Sequence, residues 1–274
     1  MLKRITLNLF CFFLVTGVFA QNLEKEITSR KKSISITWGW NWSDYSSSDI
    51  HFKGNNHNFT LHNVEASHRP TQFDFNSYFV HFTTPQYNFK LAYFFNDNWN
   101  VSFGVDHMKY VMIQNQKVKI DGIINEGSPY DRVYNSNDII LTDDFLTFEH
   151  TDGLNYLYLG INRFDELYNF TKMNGPNISI NLTEGCSAGV HLPKTNARMF
   201  GKNRNDEFHL AGYGLDLNLG LNFTFYDYFF IEGDLKGGFV HMPDIKTSHE
   251  VGNRANQHFF YSQYAAVFGF NFPL

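Results

Sequence analysis

The sequence predicts an all-β fold, an antiparallel up-and-down transmembrane β-barrel of about eight strands with four long external loops. Three observations predict it. Aromatic and aliphatic residues recur with a period of two, the repeat of a strand and not of a helix. The positions between them are mostly Gly, Ser, Asn and Thr, which suit a narrow barrel interior better than the Lys and Glu of a solvated sheet. The connections between apolar segments alternate short and long, as they do when turns lie on one side of a membrane and loops on the other. A soluble secreted β-sandwich binding carbohydrate through exposed Trp and Tyr is the competing class, because its apolar face would alternate in the same way.

The elements follow in chain order. Residues 33–43 set Ile34, Ile36, Trp38, Trp40 and Trp42 on one face against Ser33, Ser35, Thr37, Gly39 and Asn41 on the other. Tyr87, Phe89, Leu91, Tyr93 and Phe95 alternate up to a turn at 96–98. Trp99, Val101, Phe103 and Val105 then alternate on the way back, which reads as a hairpin. A fourth strand over 155–164 carries Leu157, Leu159 and Ile161 on its apolar face, and a fifth over 177–191 carries Ile178, Ile180 and Leu182. Residues 209–225 repeat the pattern over a longer span, then turn at 226–228 into a strand over about 229–242. The last strand covers about 257–274. Short turns at 96–98, 175–176 and 226–228 leave long loops at 44–86, 113–143, 192–206 and 243–256. The first is far longer than most connections, and a weak alternation over 58–64 marks a hairpin within it.

An eight-stranded barrel encloses only enough room for its own side chains, so a general porin is excluded. Asp216, Glu232, Asp234 and Lys236 fall on the inner face, where they form part of a buried polar network.

Composition agrees with an exported membrane protein. The chain has 274 residues, 43% of them hydrophobic, 18% aromatic and 18% charged, whereas ordinary soluble domains carry about 25% charged residues. A mean hydropathy of -0.34 excludes a polytopic helical membrane protein, which needs several apolar runs of about 20 residues. A net charge of -5 argues against nucleic acid as a partner, since that partner selects a basic face. Lys3 and Arg4 precede an apolar run over 9–15, and Val18-Phe19-Ala20 precedes Gln21. These features describe a cleaved signal peptide over 1–20, leaving 21–274 as a single barrel domain. Only Cys186 remains after cleavage, so no internal disulfide holds the exported chain.

The chain ends with Tyr264, Ala266, Phe268, Phe270, Phe272 and Leu274 on one face. This resembles the C-terminal strand that outer-membrane β-barrels present to their assembly machinery. With the strand count, it makes the chain similar to small eight-stranded outer-membrane barrels of the OmpA and OmpX class. That family usually finishes on an aromatic residue, from which Leu274 departs. The resemblance implies the outer membrane of a Gram-negative bacterium, with outer-membrane lipid and the barrel assembly machinery as partners.

The densest set of ionisable residues lies where the third and fourth strands reach the outer rim. There Asp106-His107-Met108-Lys109-Tyr110 faces Glu149-His150-Thr151-Asp152. A His beside carboxylates and a hydroxyl is the set for a general base with an orienting acid. The segment His150-Thr151-Asp152-Gly153 also resembles the His-x-Ser-Asn motif of outer-membrane lipid A deacylases. Those barrels hydrolyse an ester-linked acyl chain with a Ser, a His and an acidic residue. The resemblance implies His150 as base, helped by Asp152, Glu149, Asp106 or Thr151. Asp152 stands where the nucleophilic Ser belongs, and Thr151 is one place out of register. Parity adds a condition: if Leu157, Leu159 and Ile161 face lipid, His150 and Asp152 face inward unless a bulge intervenes.

The preferred reading of this rim is structural. Its charged groups hold the loop bases together, and Tyr110, Tyr156 and Tyr158 join the aromatic girdle at the interface. His51, His57, His62 and His68 lie in the first long loop without metal-ligand spacing, so they read as scattered surface histidines. No cofactor or metal is expected. The function expected is structural or interactive, with the external loops meeting a surface ligand or another envelope protein. An envelope-lipid esterase is the second reading.

Overall fold

The computed structural model describes residues 29–69, 85–173, 175–202, 205–250 and 252–274. The expected leader and the 70–84 part of the first long loop lie outside the described residues. In chain order the strands are β1 (Ser33–Tyr45), β2 (Ser48–Lys53), β3 (His57–Val64), β4 (Ala66–Ser67), β5 (Tyr87–Phe94), β6 (Trp99–Met112), β7 (Lys117–Ile124) and β8 (Arg132–Ile140). They continue with β9 (Leu146–Asn169), β10 (Ile178–His191), β11 (Lys194–Met199), β12 (Asn205–Phe208), β13 (Gly212–Phe225), β14 (Phe229–Lys246) and β15 (Arg254–Pro273).

Eight of these close a wall in the order β1-β5-β6-β9-β10-β13-β14-β15, with β15 pairing back onto β1. Every neighbour is antiparallel. One hydrogen-bonded row runs from Ser33 through Phe94, Asn100, Asn162, Gly185, Asn218, Lys236 and Gln263. It returns to β1 at Ser43, ten residues above its start at Ser33. A shear of ten over eight strands, at ~4.8 Å between strands and ~3.3 Å per residue, tilts the strands by about 40°. That is the usual tilt of a closed barrel, and it has no free edge to protect.

The two faces of the wall differ as the alternation predicts. Ser33, Ser35, Thr37, Asn41 and Ser43 of β1 are buried inside, while Ile36, Trp40 and Trp42 stand exposed outside. Val101 and Phe103 of β6, Leu159 and Ile161 of β9, and Leu215, Leu217 and Leu219 of β13 continue the outward apolar belt. Leaving such a belt in water costs about 1.5–3 kcal/mol per large side chain, and a lipid bilayer removes that cost. Inside, the lower lumen keeps a cavity of about 20 Å³ beside Lys90 and Glu232, roughly the space of one water molecule.

Above the wall the long connections between wall strands carry strands of their own. The 44–86 stretch carries β2, β3 and β4, the 113–143 stretch carries β7 and β8, and the 192–206 stretch carries β11 and the start of β12. The 243–256 loop shrinks to a turn, because β14 runs to Lys246 and β15 starts at Arg254. The hairpin expected at 58–64 is β3 paired with β2. The β2-β3-β7-β8 sheet continues from the upper end of β15, while β11 and β12 extend β9. These strands enclose an apolar core of Ile50, Phe52, Phe59, Leu61, Ile120 and Phe148. They constitute a folded head on top of a polar lumen.

Candidate functional site

Two sets of ionisable groups are held apart, one in the lumen and one in the head. On β6 the outward parity of Val101 and Phe103 turns Asp106 inward, and on β14 that of Ile231 and Leu235 turns Lys236 inward. The two meet across the lumen with Lys236 Nζ 2.5 Å from Asp106 Oδ2, both buried. Asn88 Nδ2 donates to Asp106 Oδ1 at 2.7 Å and to Gln263 Oε1 at 2.8 Å. The Lys236 ammonium also lies 4.5 Å from the centre of the Tyr158 ring, a cation–π contact. Ser187 donates to Asp216. Glu232 accepts from Asn222 at 2.9 Å and stands 3.6 Å from Lys90. Asp216, Glu232 and Lys236 thus lie inside as the sequence predicts, but Asp106 belongs with them and not with the rim.

At the rim a bulge decides the geometry. Met108 pairs with Leu154 and Tyr110 with His150, so residues 151–153 of β9 stand against Lys109 alone. Gly153 takes a φ of 128°, a conformation nearly closed to residues with a Cβ. Asp152 is thereby turned out to solvent, where Lys194 Nζ meets it at 3.0 Å. His150 stays inside, fully buried, with Nδ1 3.0 Å from Thr195 Oγ1 and the Phe148 and Tyr110 ring centres 5.1 and 5.6 Å away. Glu149 accepts from Asn196 and from Thr151 Oγ1 at 3.3 Å, with Arg69 at 3.4 Å.

Of the five residues expected to act together, the structure brings together only Glu149 and Thr151. His150 meets a hydroxyl and no carboxylate among the described residues. Asp152 is on the surface and Asp106 is in the lumen. Tyr110, Tyr156 and Tyr158, expected in the interfacial girdle, are buried inside. Parity with Leu157 and Leu159 requires this for the β9 pair. Of the first-loop histidines, His51, His62 and His68 are partly exposed, but His57 is not at the surface. His57 is buried with Nδ1 2.5 Å from Glu126 Oε1, and Lys202 pairs with the other oxygen.

Two further groups were not foreseen. His62 of β3 lies between Asp49 and Asp121, Nδ1 to Oδ2 at 2.9 Å and Nε2 to Oδ2 at 3.0 Å. At the upper edge of the belt, Tyr213, His241 and His258 face outward on three adjacent strands, with ring centres 5.2 and 6.2 Å apart. Outward parity on the three strands β13, β14 and β15 is the sequence signal for the second group. Nothing local announced the first, which needs three separate strands.

The His62 clasp has a defined pH dependence. Its hydrogen bond to Asp49, then the Asp49 charge and Asp121, raise the imidazole above its ordinary pKa. Asp121 is lowered, chiefly by the Ser136 N–H and then by His62. Burial pushes Asp49 up, but the Asn63 N–H and His62 outweigh it and lower it. A raised imidazole contributes stability below about pH 6.5 and loses it as pH rises through its folded value. Lowered carboxylates contribute above about pH 4 and lose that contribution as pH falls through theirs. The clasp is therefore strongest between about pH 4 and 6.5. Near-ultraviolet circular dichroism of the head should show a lower melting temperature at about pH 8.5 than at about pH 5.5, and His62→Gln should shrink that difference.

Together the closed eight-stranded wall, its shear, its apolar outside and its polar inside define a small transmembrane β-barrel carrying a folded head. No protein-family model matches the chain, and no curated protein matches it. Among solved structures it is similar to the outer membrane protein OprG from Pseudomonas aeruginosa, at 12% identity and a TM-score of 0.40 over 89% of this chain and 97% of that one. It is also similar to Ail, the attachment invasion locus protein of Yersinia pestis, at 13% and 0.31 over 88% and 99%. Neisserial surface protein A matches at 10% and 0.35 over 87% and 97%.

Proposed function

We propose that the protein resides in the outer membrane of a Gram-negative bacterium after cleavage of a signal peptide over 1–20. Its barrel acts as an anchor that presents the head for interaction with a surface ligand or another envelope protein. The observation that carries this reading is the continuous apolar core of the head, sealed over a lumen that is filled by its own side chains. A conduit needs an open lumen, and a lipid esterase needs His150 beside an acid and a nucleophile. An anchor needs neither. The barrel assembly machinery is the expected partner during insertion.

The test is expression in a heterologous outer membrane. An epitope inserted at Gly127, a positive-φ turn of the head, should be reached by antibody on intact cells, and the unboiled protein should migrate faster than the boiled protein in detergent gels. An epitope reached only after the outer membrane is opened would sink the display reading. Mass spectra of lipid A and phospholipid should match between empty vector, wild type and His150→Ala. Loss of an acyl chain with wild type alone would replace the anchor with an esterase.

A further inference from the structure

We infer that the outer wall carries a seat for a phosphate-headed membrane lipid, with an acyl chain in a groove and the head group against Tyr213, His241 and His258. The inference rests on the membrane reading above. Across β9, β10, β13, β14 and β15 the lipid-facing surface dips into an open groove of about 860 Å³, within the ~300–1,000 Å³ of ordinary ligand sites. The register explains the hollow. One outward row is Ile161, Cys186, Leu217 and Gly237, and the row above it is Leu159, Ala188, Leu215, Phe239 and Phe260. Small residues fall on β10 and β14, either side of β13, so Cys186 and Ala188 floor the groove between Leu159 and the Leu215–Leu217 ridge, and Gly237 floors it between Leu217 and Phe260. A Cβ added at Gly237 would meet no heavy atom within 4 Å, so the floor is open space and not a gap that neighbours already fill.

Two features choose the occupant. The groove lies inside the apolar belt, so its surroundings are hydrocarbon, and its outward side chains carry no charge. Asp216 borders it but turns inward to Ser187. A second barrel is convex and would touch only the banks, whereas a flexible chain fills the floor. The next outward row upward is Val190, Tyr213, His241 and His258. It sets a hydroxyl and two imidazoles one step above the hydrocarbon groove, and the imidazole nitrogens make no hydrogen bond with the described residues. N–H and O–H donors in that position match phosphate oxygens. Apolar groove below and donors above reproduce the order of a lipid in a leaflet.

The full chain in detergent micelles would be titrated with dipalmitoyl phosphatidylglycerol and with dipalmitoylglycerol, and bound lipid read by native mass spectrometry. Wild type should retain the phospholipid at one to one. Ala188→Phe/Gly237→Phe should retain about tenfold less of both lipids. His241→Ala/His258→Ala should keep the chain but lose the preference for the phosphate head. Leu221→Phe, elsewhere on the belt, should behave as wild type. Equal retention after the groove is filled would mean annular lipid only and overturn the seat. A dimer mass abolished by filling would overturn it in favour of a second copy. Heat-modifiable migration of each variant is read in parallel, so failure of the barrel itself is distinguished from failure of the seat.

Discussion

Replacing Phe59 with alanine should unfold the head while leaving the barrel intact. Phe59 is 1% exposed, stacks on Phe52 at 5.1 Å and meets Phe145 and Phe200 at 6.0 and 6.2 Å. Removing a buried Phe side chain typically costs about 3–5 kcal/mol. No disulfide supports the head, since Cys186 of the wall is the one cysteine among the described residues. Its strands must therefore be held by this cluster and by clasps such as His57–Glu126. Lys53, Lys117, Lys119 and Lys202 offer trypsin sites across the head. Trypsin should cut the variant there at doses that leave wild type whole, while the heat-modifiable shift of the barrel persists. If the head were a set of independent loops, wild type and variant would be cut alike. Loss of the heat shift as well would show that barrel and head fold as one unit.

The wall was legible in the sequence because each of its strands repeats one rule over many residues. Ile34 to Trp42, or Leu215 to Phe223, need only alternate, and the membrane and lumen do the rest. Beyond the hairpin at 58–64, the head was not legible, for the converse reason. Ile50 and Phe52 of β2, Phe59, Leu61 and Val64 of β3, or Val118, Ile120 and Ile124 of β7 give only two or three core residues per strand, too few to separate a strand from a loop. What makes them strands is the pairing of β3 with β7, from His57 with Ile124 to His62 with Lys119, which no local pattern contains. The rim failed differently. Nearness along two strands groups Asp106, His150 and Asp152, but Asp106 obeys parity into the lumen and Gly153 turns Asp152 away. The expectation set Asp106 at the rim, whereas its alternation with Val101 and Phe103 puts it in the lumen. The bulge could be read only from the register.

Lys236→Met should lower the unfolding free energy of the barrel by about 3–5 kcal/mol, because it leaves the Asp106 carboxylate buried without its counter-charge. Asp106 is 0% exposed, and Asn88 alone would still donate to it. A second change, Asp106→Leu in the Lys236→Met background, removes the stranded charge. It should recover most of the loss, since buried ion pairs are commonly replaced by apolar residues at little cost or with gain. Urea unfolding in lipid vesicles followed by tryptophan fluorescence measures this cleanly. All four tryptophans, Trp38, Trp40, Trp42 and Trp99, lie in the wall, so the signal reports the barrel and not the head. If the double variant stays as unstable as Lys236→Met, the ion pair is not the reason. The contact of the ammonium with the Tyr158 ring is then what matters, and Tyr158→Leu should be as damaging as Lys236→Met. If the double variant recovers, the lumen needs a matched interior and no particular charge, as expected of an anchor whose work is done outside the membrane.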